Sequence, residues 1–126
     1  MHGKQQFPYK EAALMSSQLW LNLTDARVIL QIIYAEPEVS PELRAYQAEL
    51  EARGVRVLLN HQEETAEMNC VLKSQLIRLL AFLLPFVQEE DVIVTADVDA
   101  FVMTKDILKP IRLLQRKIWI YRYFFI

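Results

Sequence analysis

Glycine is nearly missing from this chain: among its 126 residues there are two, Gly3 and Gly54. A glycine-rich phosphate loop needs several in one turn, so that backbone N–H groups can close on the anion, and two so far apart cannot build one. Cysteine is scarcer still. Cys70 has no internal disulfide partner, and it falls in an apolar helical pattern where a buried, inert thiol is the expected state. Around the two histidines, His2 and His61, no zinc-ligand spacing and no Ser-His-Asp arrangement is found. Charge of one sign is missing too. With 14 basic against 16 acidic residues, a net charge of -2 and no long runs, the chain has no electrostatic footprint for DNA or RNA. Long hydrophobic runs are also lacking. The most apolar window, Leu76 to Val87, is interrupted by Arg78 and falls short of the roughly 20 residues of a bilayer span, so it reads as core. The opening Met-His-Gly-Lys-Gln-Gln is polar and gives no signal peptide. There is no internal repeat, linker or low-complexity stretch.

What remains is a globular composition, 53% hydrophobic and 24% charged, sufficient for one domain and one core. Helix and strand alternate along it. Tyr9 to Leu23 has Ala13, Leu14, Leu19, Trp20 and Leu23 near helical spacing, and Pro8 stands where a first turn tolerates it. Arg27 to Tyr34 is almost continuously apolar and β-branched, as a strand covered on both faces should be. The next helix is punctuated by Ser40 as N-cap, Pro41 at the first helical position, Glu42 in the first turn and Gly54 just past the end. Val55 to Leu59 reads as a second strand leading to Asn60 and His61. A long helix is expected from Ala66 to Val87 on the stripe Leu72, Leu76, Leu79, Leu80 and Leu83, kinked or ended by Pro85. Asp91 to Ala96 is a third strand, Thr104 caps a short helix that ends before Pro110, and Lys117 to Tyr123 is a fourth strand. Alternation with crossovers this long predicts an α/β fold, a three-layer Rossmann-like sandwich around a mostly parallel sheet. Ligands of such sheets bind beyond the carboxyl ends of the strands, which is where Glu36, Asn60, His61, Asp97 and Asp99 fall. The chain opens on a helix and stops on the apolar Tyr123-Phe124-Phe125-Ile126, a strand-like end that would be an aggregation hazard if left bare. Further protein is therefore expected to cover it, and residues 1–126 read as one partial domain.

The chemistry-bearing feature is Asp97-Val98-Asp99, set directly after Asp91-Val92-Ile93-Val94-Thr95-Ala96 and followed at once by Ala100-Phe101-Val102-Met103. In extended backbone residues i and i+2 point the same way, so both carboxylates could reach one ion. The partner such a pair calls for is a hard divalent cation, Mg²⁺ or Mn²⁺, whose shell keeps room for phosphate oxygens. The plainer alternative is that both acids merely form a turn and cap a helix. Arg78 interrupts the apolar helix that leads into the motif strand and shares a polar stripe with Ser74 and Gln75; it is either a bidentate ligand for a diphosphate or part of a solvated face. Lys73 lies on a different side of that helix. His61 reads as a loop residue rather than a base contact, Asn22-Leu23-Thr24 matches the N-glycosylation pattern, and Trp119, Tyr121, Tyr123, Phe124 and Phe125 read as strand core rather than a sugar platform.

An apolar strand running into Asp-x-Asp resembles two families. The haloacid dehalogenase phosphatases place it at the start of the domain and carry Thr or Val where this chain has Phe101, so the position argues against them. The nucleotide-sugar glycosyltransferases of the GT-A type place it after alternating α/β units. The chain resembles these over most of its length: at Tyr9-Lys10-Glu11-Ala12-Ala13 and Leu19-Trp20, in the strand Arg27 to Gln31, in Ser74 to Phe82, in Val94-Thr95-Ala96-Asp97-Val98-Asp99-Ala100-Phe101-Val102, and in Lys117 to Tyr123. That resemblance implies the nucleotide-binding half of an enzyme that moves a sugar from a nucleotide diphosphate donor, more readily a UDP sugar, to a hydroxyl of a glycan, protein or lipid acceptor. It implies Mn²⁺ or Mg²⁺ as cofactor, with Asp99 on the ion, Asp97 toward the ribose or a metal-bound water, and Arg78 toward the diphosphate. A Golgi location is implied as well. No general base is visible, and a non-catalytic α/β interaction module, with both aspartates as caps, is the alternative from another class.

Overall fold

The computed structural model describes residues 9–63, 65, 72, 73, 76, 78–112 and 115–125. Its elements are α1 (Tyr9–Leu23), β1 (Arg27–Tyr34), α2 (Pro41–Ala52), β2 (Arg56–His61), a 3₁₀ helix (Arg78–Leu83), β3 (Val92–Thr95), a second 3₁₀ helix (Lys105–Leu108), α3 (Lys109–Arg112) and β4 (Ile118–Phe125). The strands form one sheet in the order β2-β1-β4-β3, and every neighbouring pair is parallel. The expected α/β sandwich is therefore present.

Period-two alternation divides the sheet's side chains between two layers. Val28, Leu30 and Ile32 of β1, Val57 of β2 and Ile118, Ile120 and Phe124 of β4 share a core with Ala13, Trp20, Leu43 and Leu50 from α1 and α2. Ile29, Trp119 and Tyr121 face the other way, against Ala81, Leu84, Phe86 and Val87. Val28, Leu30 and Ile32 are at most 1% exposed, and complete burial of each contributes about 2 kcal/mol before entropy is charged against it. Crossover handedness explains the layering. The connections β1 to β2 and β3 to β4 step across the sheet in the same direction and β2 to β3 steps back, so right-handed crossovers must lie on opposite faces. Accordingly α2 and the segment containing Val98, Val102 and Leu108 pack on one face, and the segment with Ala81 to Val87 packs on the other.

Local signals hold where the chemistry is local. The Ser40 side chain accepts from Leu43 N at 3.0 Å, and Pro41 opens α2. Beyond α2, Gly54 N donates to Glu51 O at 3.0 Å and Val55 N to Leu50 O at 3.1 Å, a pair of bonds that requires Gly54 to take φ +100°. The Thr24 hydroxyl donates to Trp20 O at 2.6 Å and ends α1.

One expectation is corrected. The long helix to Val87 is not continuous: Arg78–Leu83 is 3₁₀, Leu84 N donates to Ala81 O three residues back, and the helical run ends before Leu84, where the following Pro85 disfavours α conformation. Ala66, Cys70, Ser74 and Gln75 lie outside the described residues, while Leu72, Leu76 and Leu83 are exposed rather than core. The helical turn capped by Thr104 ends at Leu108, before Pro110, as expected, and a separate short helix starts at Lys109 and takes Pro110 in its first turn, where no N–H is required. β4 is central only in its first half: Ile118 to Tyr121 lie between β1 and β3, whereas Tyr123 to Phe125 pair with Gln31 to Ile33 of β1 beyond the end of β3, so among the described residues the apolar end has a strand on one side. Among the described residues no helix is long and apolar enough to cross a membrane.

Candidate functional site

β3 is short. Thr95 pairs with Tyr121 of β4, Tyr121 stands level with Ile29 of β1, and β1 and β2 run on to the pair Tyr34 and His61. Ala96 N still donates to Tyr121 O at 3.1 Å, and then the chain turns: Ala100 N donates to Asp97 O at 3.0 Å, closing a β-turn over Asp97-Val98-Asp99-Ala100. The motif is thus not extended, as the i and i+2 argument supposes. Val98, at 3% exposure, is drawn into the core with Val102 and Leu108, and that burial bends the backbone while Asp97 and Asp99 stay in water.

A second anchor reaches the same turn from below. Ser16 of α1, fully buried, donates its hydroxyl hydrogen to Val98 O at 2.7 Å. The Ser16 oxygen in turn accepts from Nη1 of Arg122, whose Nη2 donates to Ser17 Oγ at 2.5 Å and Ala13 O at 2.9 Å. Arg122 has 0% exposure, no carboxylate within salt-bridge reach among the described residues, and a buried Nε without a hydrogen-bond partner there. Burial pulls its pKa down to about 10, with the nearby Tyr46 acting in the opposite sense, so the guanidinium remains charged at neutral pH. Sequence reasoning missed this group. The available signal was a charged residue inside the otherwise apolar Ile118-Trp119-Ile120-Tyr121-Arg122-Tyr123-Phe124, facing a pair of small hydroxyl residues on an apolar helix.

The other expected site residues are distributed along the carboxyl edge rather than gathered. By register Asp97 stands level with Gln31 and Leu58, three residues short of His61, or about 10 Å lower along the strands. β2 lies three strand spacings from β3, roughly 14 Å across the sheet. Asn60 and His61 are engaged locally: Lys73 Nζ donates to Asn60 Oδ1 at 2.6 Å and to His61 O at 3.2 Å, and the His61 ring leans on Tyr34 at 5.2 Å. Glu36 is exposed beyond β1. Arg78 begins the 3₁₀ helix in the layer opposite Val98, and its side chain lies outside the described part.

Among the described residues no three His, Cys, Asp or Glu side chains gather as an all-protein metal cage would require. Two exposed carboxylates on an anchored turn instead suit an ion that completes its shell with water and phosphate oxygens, as Mg²⁺ and Mn²⁺ do. Comparison with protein-family models, with curated proteins and with solved structures returns no match.

Proposed function

We propose that the carboxyl edge of this sheet binds a nucleotide diphosphate sugar through a divalent cation, Mn²⁺ or Mg²⁺, held by Asp97 and Asp99, and that the chain is the donor-binding part of a glycosyltransferase. The observation that carries this reading is the turn itself, which leaves a parallel strand at the edge where α/β sheets take ligands and keeps two acids exposed while fixing the residue between them. When bound, the cation would supply positive charge against a departing diphosphate. Asp99 would hold it directly, Asp97 would orient a metal-bound water or the ribose, and Arg78 would bind the diphosphate.

Titration calorimetry with UDP, with and without Mn²⁺, tests this. Nucleotide binding that requires the metal and is abolished in Asp99→Ala is expected; absence of metal-dependent binding by the unaltered protein overturns the reading. A second reading, an interaction module without catalysis, is favoured by the adjacent Phe82 and Leu83, which are 61% and 66% exposed. It expects no response to metal or nucleotide.

A further inference from the structure

We propose that Ser16 is a positioning residue for the acidic turn, transmitting the fixed position of the buried Arg122 guanidinium to the backbone of Asp97-Val98-Asp99; as a statement about ligand binding this rests on the reading of the turn given above. The direction of each hydrogen bond follows from chemistry. A guanidinium only donates, so the Ser16 oxygen that meets Arg122 Nη1 must be accepting. The one hydroxyl hydrogen is then left for a carbonyl. Val98 O at 2.7 Å is a far better acceptor than Ala13 O at 3.4 Å. Arg122 is itself held on three sides by one helical turn, through Ala13 O, Ser16 and Ser17, and is rooted in the central strand β4. The hydroxyl thus joins a fully buried guanidinium on the central strand to the residue between the two acids. Charge on the donor side strengthens the bond that follows it. The carboxylates gain a fixed base without spending an oxygen on it, and among the described residues no hydrogen bond occupies their oxygens.

Ser17 supplies the control. It is 1% exposed and accepts from the same guanidinium, but it makes no hydrogen bond to the turn among the described residues. A role limited to seating Arg122 would make the two serines equivalent. In native-state hydrogen exchange the Ala100 amide, which closes the turn on Asp97 O, is expected to exchange roughly tenfold faster in Ser16→Ala, with Ser17→Ala within about twofold of the unaltered protein, a factor of ten being the scale of one lost hydrogen bond. Mn²⁺ affinity, read by electron paramagnetic resonance of the free ion, is expected to weaken by a similar factor in Ser16→Ala only. Should Ser16→Ala not fold, Ser16→Cys keeps the volume with a weaker donor and carries the same expectation. Equal effects of the two serines on Ala100 exchange, or none from Ser16, overturn the proposal. If the unaltered protein binds no Mn²⁺ while Ser16→Ala still frees the Ala100 amide, the positioning role is supported and the metal-site reading fails.

Discussion

Arg122 occupies a place in β4 where alternation calls for an apolar side chain, between Ile120 and Phe124 on the same face. A buried cation without a counter-ion is normally costly, and here three oxygen acceptors from α1 stand in for solvent. Asp91 shows the opposite economy at the far edge of the sheet. Its Oδ2 accepts from Gln88 N and from Trp119 Nε1, both at 2.8 Å, and the Gln88 bond foremost, then the Trp119 bond and the nearby Lys117 and Arg27, hold its carboxyl below the usual range. A carboxyl depressed on folding gives stability that is present above its unfolded value and lost as pH falls through the folded one. The unaltered protein is therefore expected to lose more of its urea midpoint than Asp91→Asn as pH drops below about 4, since the amide cannot take up the proton. Parallel acid limbs for the two proteins would refute this. The acidic pair was legible in the sequence because its two members adjoin. The Arg122 contact with Ser16 was not, since it spans 106 positions and depends on which strand lies under α1.

Elements follow the same division between local and distant causes. α1 ends at Leu23, as read from helical spacing, while Pro8 lies outside the described residues; α2 opens at Pro41 after Ser40, as read, and ends at Ala52, one residue earlier than Gly54 implies, because a cap acts within a few residues of itself. The stretch before Pro85 departs from the expected buried helix because a leucine stripe states only that a helix has an apolar face. Whether that face is covered depends on the rest of the fold, and Leu76 and Leu83 are 42% and 66% exposed. Gly54 gives a quantitative test of the well-read boundary. A Cβ built there would meet Leu21 Cδ1 at 4.0 Å, an ordinary contact, so Gly54→Ala carries no clash and only the strain of φ +100°. The expected loss is about 1 to 2 kcal/mol of unfolding free energy in urea, with m unchanged. A neutral or stabilising outcome would mean that the turn after α2 relaxes away from the left-handed region.

At the scale of the whole molecule, the strand order makes the end of the chain its centre. β4 pairs with β1 through Arg27↔Trp119 to Ile33↔Phe125 and with β3 through Val92↔Ile118 to Thr95↔Tyr121, so it joins the two halves of the sheet. Its apolar sequence was legible as a strand, whereas its interior position was not, because periodicity carries no information about neighbours. Without β4, β3 has no partner strand, β1 loses one whole edge, and Arg122 no longer holds Ser16, whose hydroxyl bonds the acidic turn. A chain ending at Arg116 is expected to lose cooperative urea unfolding and most of its far-UV circular dichroism, whereas the Asp99→Ala protein, altered only at an exposed turn, keeps both within error. A truncated chain that still unfolds in one sharp transition would show that α1, β1, α2 and β2 form a stable unit alone, and the sheet would then have to be redrawn around that pair. Native-state hydrogen exchange of the intact protein separates the same alternatives. Central amides of β1 and β4 at the global unfolding limit, with those of β2 no slower, agree with a core built by pairing the two ends of the chain.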